Sequence, residues 1–308
     1  MNFGQIIERS LKLVRNHTVL WKLGLLALFT EGITGGFMSL PPTPGSSTDP
    51  NEEAEMMQLF ERGMDWVRAN QSLTAGIVVF FILLILFGWY ASLRAKAGLI
   101  TAVVDLETDR KPGRFLDEYR RGAPFVWKLI GLYVTFGLLL SVVLGLPSVI
   151  IAGVAATLGE DVQLGLFLLM IPVLLVVGLY ANFITKIAER AVVVGGERVW
   201  SALSYAHRVL FGRPGQSALT ALVDLGIQLV FGMLVLAVIV IGIGLASVLA
   251  LLLSTFLPST ILAAVFGAVV LLFVAGFFLL GGWFSAFTTS YWTLVYRAIH
   301  FMNNQKGT

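Results

Sequence analysis

Three stretches decide how the chain is read: "VLWKLGLLALF" at residues 19–29, "FVWKLIGLYVTF" at 125–136 and "LTALVDLGIQLVFG" at 219–232. Each is an apolar run carrying one charge, Lys22, Lys128 or Asp224, with a glycine close behind it. A solitary charge inside so apolar a run belongs on a helix entering a bilayer, where charges are rare and must be accommodated. Working outward, 57% of the 308 residues are hydrophobic and 13% charged, against roughly 45–50% and about 25% in an ordinary soluble domain. The composition is that of a membrane protein.

A bilayer core takes about 20 residues of helix. Six apolar runs of that size lie at roughly 19–40, 73–93, 128–153, 164–183, 225–253 and 261–286. The stretches between them are too short for a soluble domain, so residues 1–308 read as one integral membrane domain with an outer loop at 41–72. All 21 Lys and Arg except Arg62 and Arg68 fall on one side of this arrangement. The positive-inside rule makes that side cytoplasmic and places both termini there. The opposite side is acidic, with Asp49, Glu52, Glu53, Glu55, Glu61, Asp65, Glu160 and Asp161. The expected location is the cytoplasmic membrane. The first apolar run has the basic lead-in of a secretory signal, but no small-x-small cleavage site follows it.

The entering runs share Trp21-Lys22-Leu23-Gly24, Trp127-Lys128-Leu129-Ile130-Gly131 and Val223-Asp224-Leu225-Gly226. The returning runs share Gly88-Trp89-Tyr90-Ala91, Gly178-Leu179-Tyr180-Ala181 and Gly282-Trp283-Phe284-Ser285. Self-similarity at a spacing of roughly 90–106 residues reads as an internal repeat of three hairpins. The expected fold is all-α, a polytopic bundle of six transmembrane helices in three pseudo-repeated hairpins. Each hairpin has a lead-in. In the first, Phe3, Ile7, Leu11 and Val14 share a face; in the third, Trp200, Leu203, Ala206 and Leu210 do; the second, "GRFLDEYRRGAPF", is shorter and more charged. These suit cytoplasmic interfacial helices, or helices packed on the bundle. In the outer loop, Met56, Leu59, Phe60 and Met64 form one face of an expected amphipathic helix, a surface brace or a lid.

The lead-in "ERSLKLVRNHTVLWKLGLLALF", six spans and the aromatic exit "GGWFSAFTTSYWTLVYRAI" resemble a broad, uncharacterised group of bacterial integral membrane proteins. That group is similar to the membrane domain found on some glycerophosphoryl diester phosphodiesterases. In those enzymes the chemistry belongs to a separate soluble barrel with metal-binding carboxylates and histidines, which this chain lacks. The resemblance implies a fold and a location, without the hydrolase activity.

Lys22 and Lys128 sit about 5 Å inside their spans at the helical rise, within reach of snorkelling. Either they snorkel, or Asp224 draws one of them into an interhelical ion pair that pins the hairpins together. Glu31 is the carboxylate deepest in a span, about 13 Å beyond Lys22, beside Gly32, Gly35 and Gly36, and is a candidate for coupling or binding. Pro147 and Pro172 are expected to kink their helices. Gly242/Ala246 and Ala263/Gly267 permit close helix approach. Arg94, Lys96, Arg114, Arg120, Arg121, Arg208 and Arg213 are the candidate contacts to anionic lipid headgroups. Neither "DRKPGRFLDEYRR" nor "FGRPGQS" matches a phosphate-binding loop.

With no Cys and three well-separated His, no metal, cofactor or cysteine nucleophile is expected, and no catalytic set emerges. Nucleic acid is not an expected partner. The leading expectation is a non-enzymatic membrane protein that binds or organises lipid or protein partners. The alternatives are a transporter or channel for a small solute or lipid, resting on Glu31 and the repeats, and a membrane-embedded lipid-modifying enzyme.

Overall fold

The apolar runs form helices that are far longer than a bilayer requires. In the computed structural model, residues 2–36, 50–108, 110–158, 160–254 and 258–304 are described. They fold into α1 (Phe3–Asn16), α2 (Thr18–Gly36), α3 (Pro50–Ala69), α4 (Gln71–Glu107), α5 (Phe115–Arg121), α6 (Val126–Leu158), α7 (Glu160–Val193), α8 (Val199–Gly212), α9 (Pro214–Ser254) and α10 (Ser259–Asn304). A short 3-10 turn, Ala123–Phe125, joins α5 to α6, and there is no strand among the described residues.

Five helical stretches, Gln71–Glu107, Phe115–Val149, Met170–Val193, Pro214–Leu252 and Ala264–His300, are long and apolar enough to cross a membrane, and they suggest a multi-pass membrane protein. The run expected at 19–40 begins in α2, whose described apolar part is the shorter Thr18–Leu28. Glu31 lies on α2, but its side chain falls outside the described residues. α4 and α10, at 37 and 46 residues, measure roughly 55–70 Å, about twice the hydrocarbon thickness.

That excess length builds the core. Buried residues of α4 (Leu93, Ala97, Ile100), α6 (Leu129, Leu132), α7 (Ile187, Ala191) and α10 (Trp292, Val295) meet α8 at the basic end of the molecule. A second cluster joins α1 (Val14), α2 (Leu20, Leu23), α4 (Leu99) and α10 (Phe287). The far halves of α4, α6, α7 and α9 instead expose Phe80, Phe87, Leu138, Val142, Val176 and Leu236. The contrast has a physical basis. Lipid tails are as apolar as leucine, so nothing drives apolar helix faces together inside hydrocarbon, whereas helix extensions that leave the hydrocarbon gain by burying each other.

The lead-in helices pack on this core largely along the expected faces, each with one large apolar residue left outside. α1, capped by Asn2, buries Ser10 and Val14 and leaves Leu11 exposed. α8 buries Ala202, Leu203, Ala206 and Val209 and leaves Trp200 exposed. In both, the apolar stripe is wide enough to serve two surroundings, and the small residues take the tight side. The outer helix α3 exposes Leu59, Phe60, Met64 and Trp66. α6 and α7 continue as helices through Pro147 and Pro172.

α2 and α10 cross with backbones in contact. A Cβ on Gly24 would stand 2.2 Å from the carbonyl oxygen of Gly282, and one on Gly282 would stand 2.9 Å from the Cα of Leu25. Ser92 on α4 closes the other side of α2 by donating to the Ala27 carbonyl at 3.0 Å. Gly226 occupies the matching place in the third apolar run, yet a Cβ there would have nothing within 4 Å. Gly24→Val should therefore destabilise the protein by about 1–3 kcal/mol or more, the usual range for overpacking. Gly226→Val should be nearly silent. Thermal unfolding of both variants in one detergent, followed by size-exclusion chromatography, separates them; equal effects would show that the α2–α10 crossing is not a tight constraint.

Candidate functional site

The charges in the core are arranged around one carboxylate. Glu189 on α7 accepts from Lys96 Nζ of α4 at 2.9 Å through Oε1, and from Arg190 Nη1 at 2.5 Å through Oε2. Tyr133 of α6 donates its hydroxyl proton to the same Oε1 and accepts from Lys96 at 2.9 Å. Arg190 also donates to the carbonyls of Lys186 at 2.9 Å and Thr289 of α10 at 3.4 Å. Lys96, Glu189 and Arg190 are at most 3% exposed. Buried ions persist only when paired and hydrogen-bonded, and this carboxylate meets that condition with both oxygens. Its Oε1 takes two donors and its Oε2 one, which ties α4 and α6 to α7.

Asp224 is another buried acid, 1% exposed. Its Oδ1 accepts from the Trp292 indole at 2.7 Å, and its Oδ2 from Asn182 Nδ2 at 2.9 Å and Gln228 Nε2 at 2.6 Å. Three neutral donors on α7, α9 and α10 thus hold it, and the expected pairing with Lys22 or Lys128 does not form. Lys128 instead donates to the Gly196 carbonyl at 2.9 Å. Gly196 lies in the turn after α7 and has φ +68°, a left-handed value glycine adopts without strain. Lys22 is exposed. The tryptophan before it ties α2 to α1, with Trp21 Nε1 donating to the Val14 carbonyl at 2.6 Å.

At the basic end, α8, the start of α9 and the end of α10 enclose a cavity of about 320 Å³. Tyr205, Arg208, Arg213, Gln216 and Ser217 are among the side chains that line it, and the charged ones are the two arginines. Burial pushes the Tyr205 hydroxyl above its ordinary pKa, and Arg208 partly offsets this, so the hydroxyl stays protonated at neutral pH. Among the described residues no group of three His, Cys, Asp or Glu gathers to hold a metal ion.

A family model described as a family of unknown function (DUF7544) matches residues 9–299. The chain belongs to that family. The match runs from the middle of α1 to Ile299, the last residue lining the cavity. No curated protein and no solved structure matches.

The remaining candidate lipid contacts divide in two. Lys96 is buried against Glu189 and cannot reach a headgroup from there. Arg94 is folded inward, donating to the Tyr119 carbonyl at 3.0 Å and lying 4.4 Å from the centre of the Tyr119 ring. Arg121 bridges Asp105 at 2.6 Å and Glu118 at 3.2 Å. Arg114, Arg120 and Arg208 are exposed, and Arg213 is half-buried. Sequence reasoning passed over Glu189, Arg190 and Tyr133, although Ile184, Ile187, Ala188 and Ala191 continue an apolar helical pattern through them.

The cluster predicts unequal effects from its two sides. Lys96→Met leaves the Glu189–Arg190 pair intact and should cost little. Glu189→Leu strands two buried cations and should cost about 3–5 kcal/mol, the usual penalty for orphaning a buried charge. Chemical denaturation of both variants in detergent tests this; a Lys96→Met defect as large as that of Glu189→Leu would contradict the assigned pairing.

Proposed function

We propose that the chain is a non-enzymatic, multi-pass protein of the cytoplasmic membrane that binds and organises anionic lipid at its basic face. On this reading both termini are cytoplasmic, and six spans form three similar hairpins, as in the membrane domain of some glycerophosphoryl diester phosphodiesterases. α1, α5 and α8 then lie at headgroup depth.

The observation that carries the reading is the division of labour among the charges. The buried ones, Lys96, Glu118, Glu189, Arg190 and Asp224, are taken up by partners within the protein. Arg15, Lys22, Arg110, Lys111, Arg114, Arg120, Arg198 and Arg208 are exposed at one end. Exposed Trp21, Trp127 and Trp200 lie at that same end. Amphipathic indole rings concentrate at the membrane–water boundary, and bases held at that depth attract anionic lipid by about 1 kcal/mol each near the surface. The charges held inside are structural; those at the rim are available to lipid.

The test is the composition of the lipid shell. Full-length protein in nanodiscs of equal phosphatidylcholine and phosphatidylglycerol, released for native mass spectrometry, should retain phosphatidylglycerol in at least about twofold excess over the bulk ratio. The excess should shrink as ionic strength rises and the Debye length falls. A shell that mirrors the bulk mixture at low salt would overturn the reading, and turnover of a labelled lipid by the same preparation would replace it with an enzymatic one.

A further inference from the structure

We propose that the corner between α4 and α6, residues 110–121, is a preformed clasp for the anionic surface of the membrane, in which Leu116 enters the headgroup layer and Arg110, Lys111, Arg114 and Arg120 bind its phosphates. The inference rests on the lipid-binding reading above and assigns it to one element.

The sequence "RKPGRFLDEYRR" holds five bases and two acids in twelve residues. A run so rich in like charge repels itself and keeps one shape only where it is anchored. The anchors are backbone bonds and close helix contact. Thr108 N and Arg110 N both donate to the Asp105 carbonyl at 3.0 Å, which fixes the chain as it leaves α4. Gly113 N donates to Glu118 Oε1 at 2.8 Å, and Arg114 N to Asp117 Oδ2 at 3.3 Å. α5 then lies backbone to backbone on α4: a Cβ on Gly98 would collide with the Glu118 carbonyl, and one on Gly122 with the Arg94 carbonyl. Arg94 fastens the same seam from the α4 side through the Tyr119 carbonyl and ring.

This anchoring sorts the charges. Both acids of α5 accept from backbone N–H groups of the loop before it, and Glu118 is fully buried. Arg121 is turned back onto Asp105 and Glu118. Arg110, Lys111, Arg114 and Arg120 are exposed. Phe115, Glu118, Tyr119 and Gly122 make the less exposed side of α5. Leu116, 59% exposed, and Arg120 are four residues apart and share the outward side. The result is an apolar tip flanked by bases, held on a rigid seam, so little freedom remains to be lost when a surface is bound.

Charge alone suits a soluble acidic protein as well as a membrane. Position decides for the membrane. α5 passes through the turn Ala123–Phe125 directly into α6, and Phe115–Val149 is long and apolar enough to cross a bilayer. A cluster of bases immediately before such a helix is what anionic lipid attracts. Trp127, in the first turn of α6, is 73% exposed, and indole rings favour the membrane–water boundary. The exposed apolar side of α6 begins at Val134, about 10 Å beyond Trp127 at the helical rise. The clasp therefore stands where headgroups meet hydrocarbon, and Leu116 at that depth is covered by lipid instead of water.

The chain has no Cys, so Leu116→Cys carries a single fluorescent label on the full-length protein. In nanodiscs of equal phosphatidylcholine and phosphatidylglycerol, a lipid with a nitroxide on its headgroup should quench that label. Aqueous iodide should quench it at least about threefold less than the same dye in solution. In pure phosphatidylcholine this shielding should fall about twofold or more. A second arm reads the retained phosphatidylglycerol by native mass spectrometry. Arg110→Gln, Lys111→Gln, Arg114→Gln and Arg120→Gln in one chain should remove about half or more of the wild-type excess. The same change at Arg15, Lys22, Arg198 and Arg208, exposed at the same end, should leave most of it. The label alters no charge, so it decides the matter even where the four-base variant fails to insert.

A label as open to iodide in mixed discs as in solution would overturn the clasp and leave the surface to a soluble acidic partner. Shielding that ignores phosphatidylglycerol, or equal losses in the two four-base variants, would overturn it as well. In each case, wild-type protein that still retains excess phosphatidylglycerol keeps the broader lipid-binding reading, and a shell that mirrors the bulk mixture removes both.

Discussion

Glu189 stands between Lys96 and Arg190 with one oxygen turned to each, and the placement of four helices follows from how that carboxylate is satisfied. Lys96 brings α4, Tyr133 brings α6, Glu189 and Arg190 belong to α7, and Arg190 reaches the Thr289 carbonyl on α10. Three residues along α10, Trp292 donates to Asp224 of α9 and packs edge-on against Phe183 of α7 at 5.7 Å between ring centres. Glu189 and Asp224 are thus linked through one turn of α10. Such networks add little net stability compared with an apolar core, but they penalise wrong pairings heavily, because any other register strands a charge. Among long apolar helices with few shape constraints, that penalty can select one arrangement.

On the proposed orientation this network lies at headgroup depth, and that accounts for a core displaced to one end. Ions in mid-bilayer are expensive, and they become tolerable where the helices reach headgroups and water. The same location restores the hydrophobic effect that is missing between helices in hydrocarbon. Polar pairing and apolar burial therefore favour the same level of the molecule. The backbone contact of Gly24 with Gly282 fits this level too, since it brings α2 close enough for Ser92 to reach the Ala27 carbonyl.

Much of the architecture was legible in the sequence, because long apolar runs, their basic flanks and the amphipathic lead-ins are local signals. α1, α8 and the long α4, α6, α7, α9 and α10 appear where those signals place them. The returning helices run on past the expected spans. Arg94, Lys96, Lys186, Glu189 and Arg190 look like loop charges and cut the expected spans at 93 and 183, while α4 continues to Glu107 and α7 to Val193. A helical wheel through Lys96 sets it beside Leu93, Leu99 and Ile100, a pattern for a buried lysine. No wheel reveals that its partner lies 93 residues away. The likeness of the three entering runs also misled: Gly24 is clamped and Gly226 open, and Lys22 and Asp224 share a motif position without sharing a role.

For the candidate site, residue type was legible and arrangement was not. Arg208 and Arg213 read as headgroup contacts from their place in a basic turn, as did Arg94, Lys96 and Arg121, and only the fold separates these groups. Arg94 and Lys96 find acceptors because α4 carries them past α5 and α7, and Arg121 at the end of α5 reaches Asp105 of α4. Arg208 stays exposed and Arg213 half-buried where α8, α9 and α10 leave a hollow.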